Sequence, residues 1–375
     1  MISDFLMSGR KVVFLGTALW MFISPLSAQS HVVRVGTVVD ETVHSSSLVG
    51  NLLGDSPDRS VTVYLPPGYK GQSSRYPVVY LLHGFLANNR SWTESDWANV
   101  PKTMDALIAA GKVRSMIVVM PDGANKLGGS FYTNSVTTGN WEDFITRDLV
   151  RYIDNKYRTV PHASSRGIAG HSMGGYGAIK IAIKHPQIFG AVYALSACCM
   201  EWGGGMSPSN PAWNKTMTFR SLSDVVAARD YISRSEFNFQ NAEVSRDFFA
   251  LAALSMSAAW SPDPARPPFF ADLLVEGSGD ARTISAMHVA QWSVNMPVAM
   301  FGQYRSNLKQ LVAIAFDVGK QDEYPEIPTG AHDFDAGLTS NGIRHQFDEY
   351  DGTHNSRIGE RLESRVFPFF SRALK

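Results

Sequence analysis

Apolar residues along the chain fall into short blocks of two kinds. Val78 to Leu82, Met116 to Met120 and Arg166 to Ala169 are brief and lack polar alternation, the pattern of strands covered on both faces of a parallel sheet. Two earlier stretches, Val32-Val33-Arg34-Val35 and Ser60 to Leu65, predict antiparallel edge strands, and the second ends at the turn signal Pro66-Pro67-Gly68-Tyr69. Longer segments carry helical spacing. From Trp141 to Tyr157, Phe144, Ile145, Leu149, Tyr152 and Ile153 recur on one face, Asn140 stands at the cap position, and Glu142-Asp143 favour the N-terminal dipole. The expectation is a surface helix packed on the sheet. Strand, helix and strand in alternation imply right-handed crossovers, and hence a doubly wound, mostly parallel α/β sheet.

Between about Met200 and Asn307 the pattern changes. The segment opens as a loop, Trp202-Gly203-Gly204-Gly205-Met206-Ser207-Pro208-Ser209-Asn210-Pro211. Helical stretches follow at Phe248 to Trp260 and Ile284 to Val294, separated by the breaker run Pro262 to Pro268. This predicts a helical insertion over the sheet, placed to act as a lid. The sheet resumes at Leu311 to Phe316 and His345 to Tyr350, and a last helix carries Ile358, Leu362 and Val366 at i, i+4, i+8.

The first 28 residues do not belong to the fold. Arg10-Lys11, the apolar run Val12 to Ile23 and Ser24-Pro25-Leu26-Ser27-Ala28 before Gln29 read as a signal peptide cut after Ala28. The apolar run is shorter than the ~20 residues a helix needs to cross a bilayer, so no stable membrane anchor is expected after processing. The predicted product is exported, periplasmic or secreted, with residues 29–375 as one domain interrupted at about 200–307. The 34 basic and 34 acidic side chains balance. Cleavage leaves 32 and 33, and no Lys/Arg run offers a footprint for nucleic acid. The two cysteines, Cys198 and Cys199, are adjacent, so they close no loop and could form only a strained vicinal bridge.

The chemistry lies at Gly170-His171-Ser172-Met173-Gly174, between the strand Arg166 to Ala169 and an apolar helical run that starts at Tyr176. This is G-x-S-x-G in strand-turn-helix context, where glycines at −2 and +2 let two backbones approach around a strained serine. A serine needs a base and an orienting acid, in the chain order Ser, Asp/Glu, His. His354, on the loop after the last strand, is the candidate base. His332, His345 and His288 fall within helix or strand patterns or too early, and a polar surface role is expected for each. For the acid, Asp322 is preferred over Asp317, which follows its strand so closely that capping the turn is its expected job; Asp351 stands third. Oxyanion donors are expected from the backbone N–H of Met173 and of Phe85, on the loop after Val78 to Leu82. His83 reads as a turn residue bonded to backbone. Phe131, Tyr132 and Trp141 are candidates for pocket lining or for core packing. The cluster His332-Asp333-x-Asp335 lacks a matched second group for a metal site. No metal or cofactor is implied.

Taken together, Tyr76-Pro77 to Leu81-Leu82-His83-Gly84, Gly170-His171-Ser172-Met173-Gly174-Gly175-Tyr176, Gly319-x-x-Asp322 and Gly352-x-His354 resemble the esterase D group of α/β hydrolases. That group takes in S-formylglutathione hydrolases, feruloyl esterases and the antigen 85 mycolyltransferases. The resemblance spans Pro66 to about Lys375. It implies an α/β-hydrolase fold, a triad of Ser172, Asp322 and His354, oxyanion donors at Phe85 and Met173, and a small-molecule or acyl ester as substrate. The insertion departs from the family core, so substrate identity is not carried over. Ester hydrolysis through an acyl-enzyme is the expected reaction. Acyl transfer to an alcohol uses the same triad and is the alternative, and a non-catalytic hydrolase-like binding module is the rival of another class.

Overall fold

The computed structural model describes residues 35–375 except Ser278. The expected signal peptide, 1–28, and Val32 to Arg34 lie outside the described residues. Val35 is not in a strand.

One sheet organises the described residues. Its strands are β1 (Thr37–His44), β2 (Asp58–Leu65), β3 (Val78–Leu82), β4 (Ile117–Pro121), β5 (Arg166–His171), β6 (Ala191–Leu195), β7 (Ala313–Gly319) and β8 (Gln346–Tyr350). Their spatial order is β1-β2-β4-β3-β5-β6-β7-β8. β1 and β2 pair antiparallel at one edge, β2 meets β4 antiparallel, and from β4 to β8 every pairing is parallel. This is the expected α/β-hydrolase architecture. Two strands escaped the sequence reading. β1 alternates inward and outward residues over TVVDETVH, a period-two signal broken by charges, and β6 is a buried five-residue run that periodicity cannot tell from a helix segment.

Successive strand residues point to opposite faces, and each face has its own helices. On one face, Val100, Met104 and Leu107 of α1 (Val100–Ala109) pack with Ile358, Leu362, Val366 and Phe370 of the C-terminal helical run over Val79, Leu81, Val118 and Ala169. The other face, with Val78, Tyr80, Leu82, Ile168 and Val192, is covered by two helical runs. The first, α2, runs from Trp141–Asp143 through a π-type stretch, Phe144–Leu149, into Val150–Lys156. The second, α3 (Met173–Lys184), is buried along nearly its whole length.

α2 is less of a surface helix than its pattern predicts, because Trp141, Glu142, Thr146 and Asp148 are buried along with the apolar stripe. Asn140 occupies the cap position but makes no side-chain cap. The first turn is held instead by Asn134, whose Oδ1 accepts the Asp143 N–H at 3.0 Å. A tertiary partner thus does what the local motif was expected to do.

The insertion between β6 and β7 carries α4 (Ala212–Thr216), α5 (Leu222–Arg234), α6 (Ala242–Trp260), α7 (Ala286–Ser293) and α8 (Phe301–Leu308). Val225, Ala228 and Ile232 of α5 form an apolar cluster with Val244, Leu251 and Leu254 of α6. The far half of α6 reaches the main core. Trp260 packs edge-on against Phe131 at 5.7 Å, Ser255 Oγ donates to Gly129 O at 2.7 Å, and Ser135 Oγ donates to Ala258 O at 2.6 Å. His288 corrects the expectation of a surface role. It is fully buried on α7, with Nε2 against Asp272 Oδ2 at 3.0 Å, because the insertion folds Asp272 onto a helix face that reads as polar in isolation.

Glu142 joins α2 to the end of α3, where it meets Lys184 Nζ at 2.6 Å and His185 Nε2 at 2.8 Å. Burial works against its charge, but the His185 hydrogen bond and the nearby ammonium groups of Lys180 and Lys184 outweigh it and pull the carboxyl from about 4.5 down to about 2. A depressed carboxyl contributes stability that is present above the unfolded value and is lost as pH falls through the folded one. We therefore expect denaturant unfolding to lose on the order of 3 kcal/mol between about pH 5 and about pH 2 through this group. Glu142→Gln should start less stable at neutral pH and lack that component. An unchanged acid limb in the variant would refute the assignment.

Candidate active site

β5 ends at a turn that only two glycines can make. A Cβ on Gly170 would lie 2.4 Å from the backbone of Gly174, and one on Gly174 would lie 2.1 Å from Leu82 O. Both distances are far inside van der Waals contact, so strand β3, strand β5 and helix α3 approach as closely as they do because no side chain intervenes. Ser172 sits between them with φ 56° and ψ −119°, a sparsely populated conformation for a residue with a Cβ. Its backbone is pinned from both sides, with its N–H donating to Leu195 O at 3.0 Å and its carbonyl accepting the Tyr176 N–H at 2.9 Å. The side chain is half-buried. Met173 begins α3, where first-turn N–H groups have no intrahelical acceptor.

The loop after β3 runs alongside. His83 is fully buried. Its Nε2 accepts the Gly123 N–H at 2.7 Å, which leaves the proton on Nδ1 for Gly84 O at 2.8 Å. The expected bonding of His83 to backbone is what the structure has. Gly84 passes close to the serine, since a Cβ there would stand 3.4 Å from Ser172 Cβ. Phe85 follows it and shares a cavity wall with Ser172.

His354 and Asp322 meet on the loops beyond β8 and β7. His354 Nδ1 lies 2.8 Å from Asp322 Oδ2, and the Asp322 side chain is wholly inaccessible. The two loops are laced by backbone hydrogen bonds from Lys320 to Tyr350 O and from Gln321 to Gly352 O. Three further residues hold the imidazole, and none of them stood out in the sequence. Glu323 Oε2 fixes the histidine's main chain by accepting the His354 backbone N–H at 2.9 Å, the Tyr324 ring meets the imidazole edge-on at 4.9 Å, and His171 packs against it at 4.7 Å. His171 Nε2 also lies 2.9 Å from His354 O. Burial, with His354 adding to it, pushes the His171 imidazole down to about 3, so it is neutral and donates to that carbonyl. The only sequence signals for these residues were adjacency: Glu323 and Tyr324 follow Asp322, and His171 precedes Ser172.

Asp317, the rival acid, is inside β7 and does not cap the turn. It is completely buried, 2.5 Å from Arg361 Nη2, and accepts the Tyr193 hydroxyl at 2.6 Å. Burial raises its carboxyl to about 6 while Arg361 and Tyr193 oppose the rise. It therefore ties β6, β7 and the C-terminal helical run together beneath the site. Asp351 is exposed and pairs with Lys320. His332 pairs with Glu349 and His345 with Asp335, so the polar groups near Asp333 are engaged with one another.

Two concavities meet at Ser172. The inner one has Phe85, Phe131, Phe248, Phe249, Trp213 and Tyr324 in its wall, together with Glu201 and Glu326. Burial, followed by the neighbouring Asp333, pushes Glu201 up to about 7. The outer groove contains Ser172 together with His354, Asn355, Trp97, Phe237 and Phe239. Of the three aromatic candidates, only Phe131 lines a cavity. Tyr132 lies beneath the loop with its hydroxyl donating to His83 O at 3.0 Å, and Trp141 is core packed under Arg59.

The fold has counterparts among known proteins. The Esterase family model matches residues 56–358. An endo-1,4-beta-xylanase/feruloyl esterase of Xylanibacter ruminicola is 37% identical over 139 residues, 35% of this chain and 18% of that protein. The chain thus spans less than a fifth of that relative's length. Among solved structures, a ferulic acid esterase superposes with a TM-score of 0.56 at 23% identity, covering 91% of this chain and 100% of the other. The S-formylglutathione hydrolase of Staphylococcus aureus does so with a TM-score of 0.54 at 16% identity, covering 90% and 99%. At these identities the superpositions show the fold, and the family match, over most of the chain, shows descent: the protein belongs to the Esterase family and has the α/β-hydrolase fold.

Proposed function

We propose that this chain hydrolyses carboxylic esters through an acyl-enzyme, with Ser172 as nucleophile, His354 as general base and Asp322 as the acid that holds the imidazole. The observation that carries the reading is the 2.8 Å contact between His354 Nδ1 and the inaccessible Asp322 carboxylate, with His354 lining a groove shared with Ser172. Asp322 fixes the tautomer with the proton on Nδ1, which leaves Nε2 free to take the serine proton and later pass it to the leaving alcohol. The backbone N–H groups of Met173 and Phe85 supply the oxyanion hole, positioned by the start of α3 and by the His83-anchored loop. Water then releases the acyl group by the reverse proton route.

The two concavities take different parts of the ester. The group that protonates the leaving alcohol must face it, so the outer groove containing His354 holds the alcohol. The inner cavity is lined by Ser172 without His354 and holds the acyl group. Its aromatic wall suits an apolar or aryl acyl chain. α6 of the insertion contributes Phe248, Phe249 and Met256 to that wall, which supports the insertion as a lid that selects acyl length. The pattern of residues 1–28 supports export of the 29–375 domain. Among the described residues, no helix is long and apolar enough to cross a membrane.

Ser172→Ala should lower turnover of a p-nitrophenyl ester by about 10⁶-fold; a variant that keeps its activity would remove the serine from the mechanism. Asp322→Asn should reduce kcat by about 10⁴-fold with the fold intact. Asp317→Asn should do the opposite, costing on the order of 3 kcal/mol of stability by stranding buried Arg361 while changing kcat little. Steady-state kinetics beside urea unfolding separates the two. If Asp317→Asn abolished turnover at full stability and Asp322→Asn did not, the acid would be reassigned.

A further inference from the structure

Two carboxyl groups in the aromatic wall of the inner cavity take no part in the proposed hydrolysis. Glu201 lies in the loop that follows β6, and Glu326 opens α9 (Glu326–Ser340). The Gly203 to Gly205 loop packs against the start of α9, since a Cβ on Gly203 would stand 2.5 Å from Glu326 Cβ and one on Gly205 would stand 3.3 Å from Glu326 Oε1. One turn further on, a Cβ on Gly330 would stand 3.6 Å from Glu201 Cγ. Residues i and i+4 share a helix face, so both glutamates lie along one face of α9. Among the described residues, no Lys, Arg or His lines the inner cavity or the neighbouring hollow that contains both glutamates with Trp202 and Asn210.

Burial raises both carboxyls. Asp333 adds to the rise at Glu201, while at Glu326 the residue's own backbone N–H opposes it and Asp322 and His354 act in opposite senses. Tyr324 in the same wall is 7% exposed, and its phenol, raised by burial and by Glu323, Asp322 and Glu326, has no hydrogen-bond partner among the described residues. Acids buried without a base beside an unpartnered hydroxyl are costly, and a cation bound among them removes that cost.

We propose that the Glu201 and Glu326 side of the inner cavity binds a primary ammonium group, making the substrate an ester whose acyl part carries a protonated amine. This rests on the reading of the cavity as the acyl site. An ammonium group has three N–H donors and no acceptor. The two carboxylates and the Tyr324 oxygen accept, and the rings of Trp213, Phe249 and Tyr324 add cation–π attraction. A neutral acyl group of the same shape leaves the acids unpaired. The preference for the cation grows as pH rises through about 7, where Glu201 ionises, and persists until the amine itself loses its proton at about 10. Asp333, Asp322, Tyr324, Cys199 and His354 are the other titratable groups around the pair. The imidazole serves every ester alike, so comparing two esters cancels its contribution.

p-Nitrophenyl 4-(aminomethyl)benzoate and p-nitrophenyl 4-ethylbenzoate match in shape and differ in charge. With the full chain, kcat/KM should favour the cationic ester by about tenfold at about pH 8, and the ratio should shrink as pH falls to about 6. Glu201→Gln/Glu326→Gln should bring the ratio to about one, a quantity that a general loss of active protein does not move. The wild-type pH trend tests the site without any variant. A ratio that is flat with pH, or that the folded double variant keeps, overturns the ammonium site. Turnover of the neutral ester with no preference for the cation does the same and leaves ester hydrolysis standing. If neither ester turns over, hydrolysis falls, and the site is read by calorimetry on Ser172→Ala with methyl 4-(aminomethyl)benzoate against methyl 4-ethylbenzoate. Binding of the cation about tenfold more tightly supports the site, and equal binding overturns it.

Discussion

The contact between the backbones of strand β3, strand β5 and helix α3 at Gly170 and Gly174 governs the geometry around Ser172. With Gly174 so placed that a Cβ would come within 2.1 Å of Leu82 O, the chain has no room to relax the turn, and Ser172 is held at φ 56°. Packing on both faces of the sheet stabilises that local strain. The same turn starts α3 directly beneath the serine and lays the Gly84–Phe85 loop beside it, so the candidate nucleophile and candidate oxyanion donors follow from one steric fact.

Parallel strands deliver the remaining groups. β5, β6, β7 and β8 run in the same direction, so the elbow, the cysteine pair, Asp322 and His354 emerge at one edge of the sheet despite wide separation in the chain. Below that edge the buried Asp317–Arg361–Tyr193 group clamps three elements. Asp317 and Asp322 are only five residues apart, yet one is a strut inside a strand and the other points into the site. A shift from strand to loop within those residues makes the difference.

The insertion makes the cavities what they are. Without α6 the serine would face an open sheet edge. With α6 present it faces an aromatic chamber in which Phe248 contacts Phe85, Phe239 and Tyr324. The hydrogen bonds from Ser255 and Ser135 fasten α6 to the segment after β4 that carries Gly129, Phe131 and Ser135, and a Cβ on Gly129 would meet Met173 Sδ, so the shape of the inner cavity is coupled to the start of α3.

Local chemistry was legible in the chain. The unalternating runs predicted the central strands because strands buried on both faces need apolar residues at every position. The spacing G-x-S-x-G predicted the elbow because its sterics are local, and the Ser, Asp, His order pointed to loops after strands. Other features depend on residues far apart and were not legible. β6 looked like any short apolar run until its neighbours were known, His288 read as polar until Asp272 folded against it, and Asn140 read as a cap although Asn134 does that work. The support of His354 by Glu323, Tyr324 and His171, and the meeting of Cys199 with Met256, arise only when separate loops are brought to one edge. The sequence by itself determined where the chain must turn, bury and react, since those depend on near neighbours. Which buried carboxylate faces the histidine, and what surrounds the serine, only tertiary packing decided, because hydrogen bonding and cavity shape are properties of surfaces that meet.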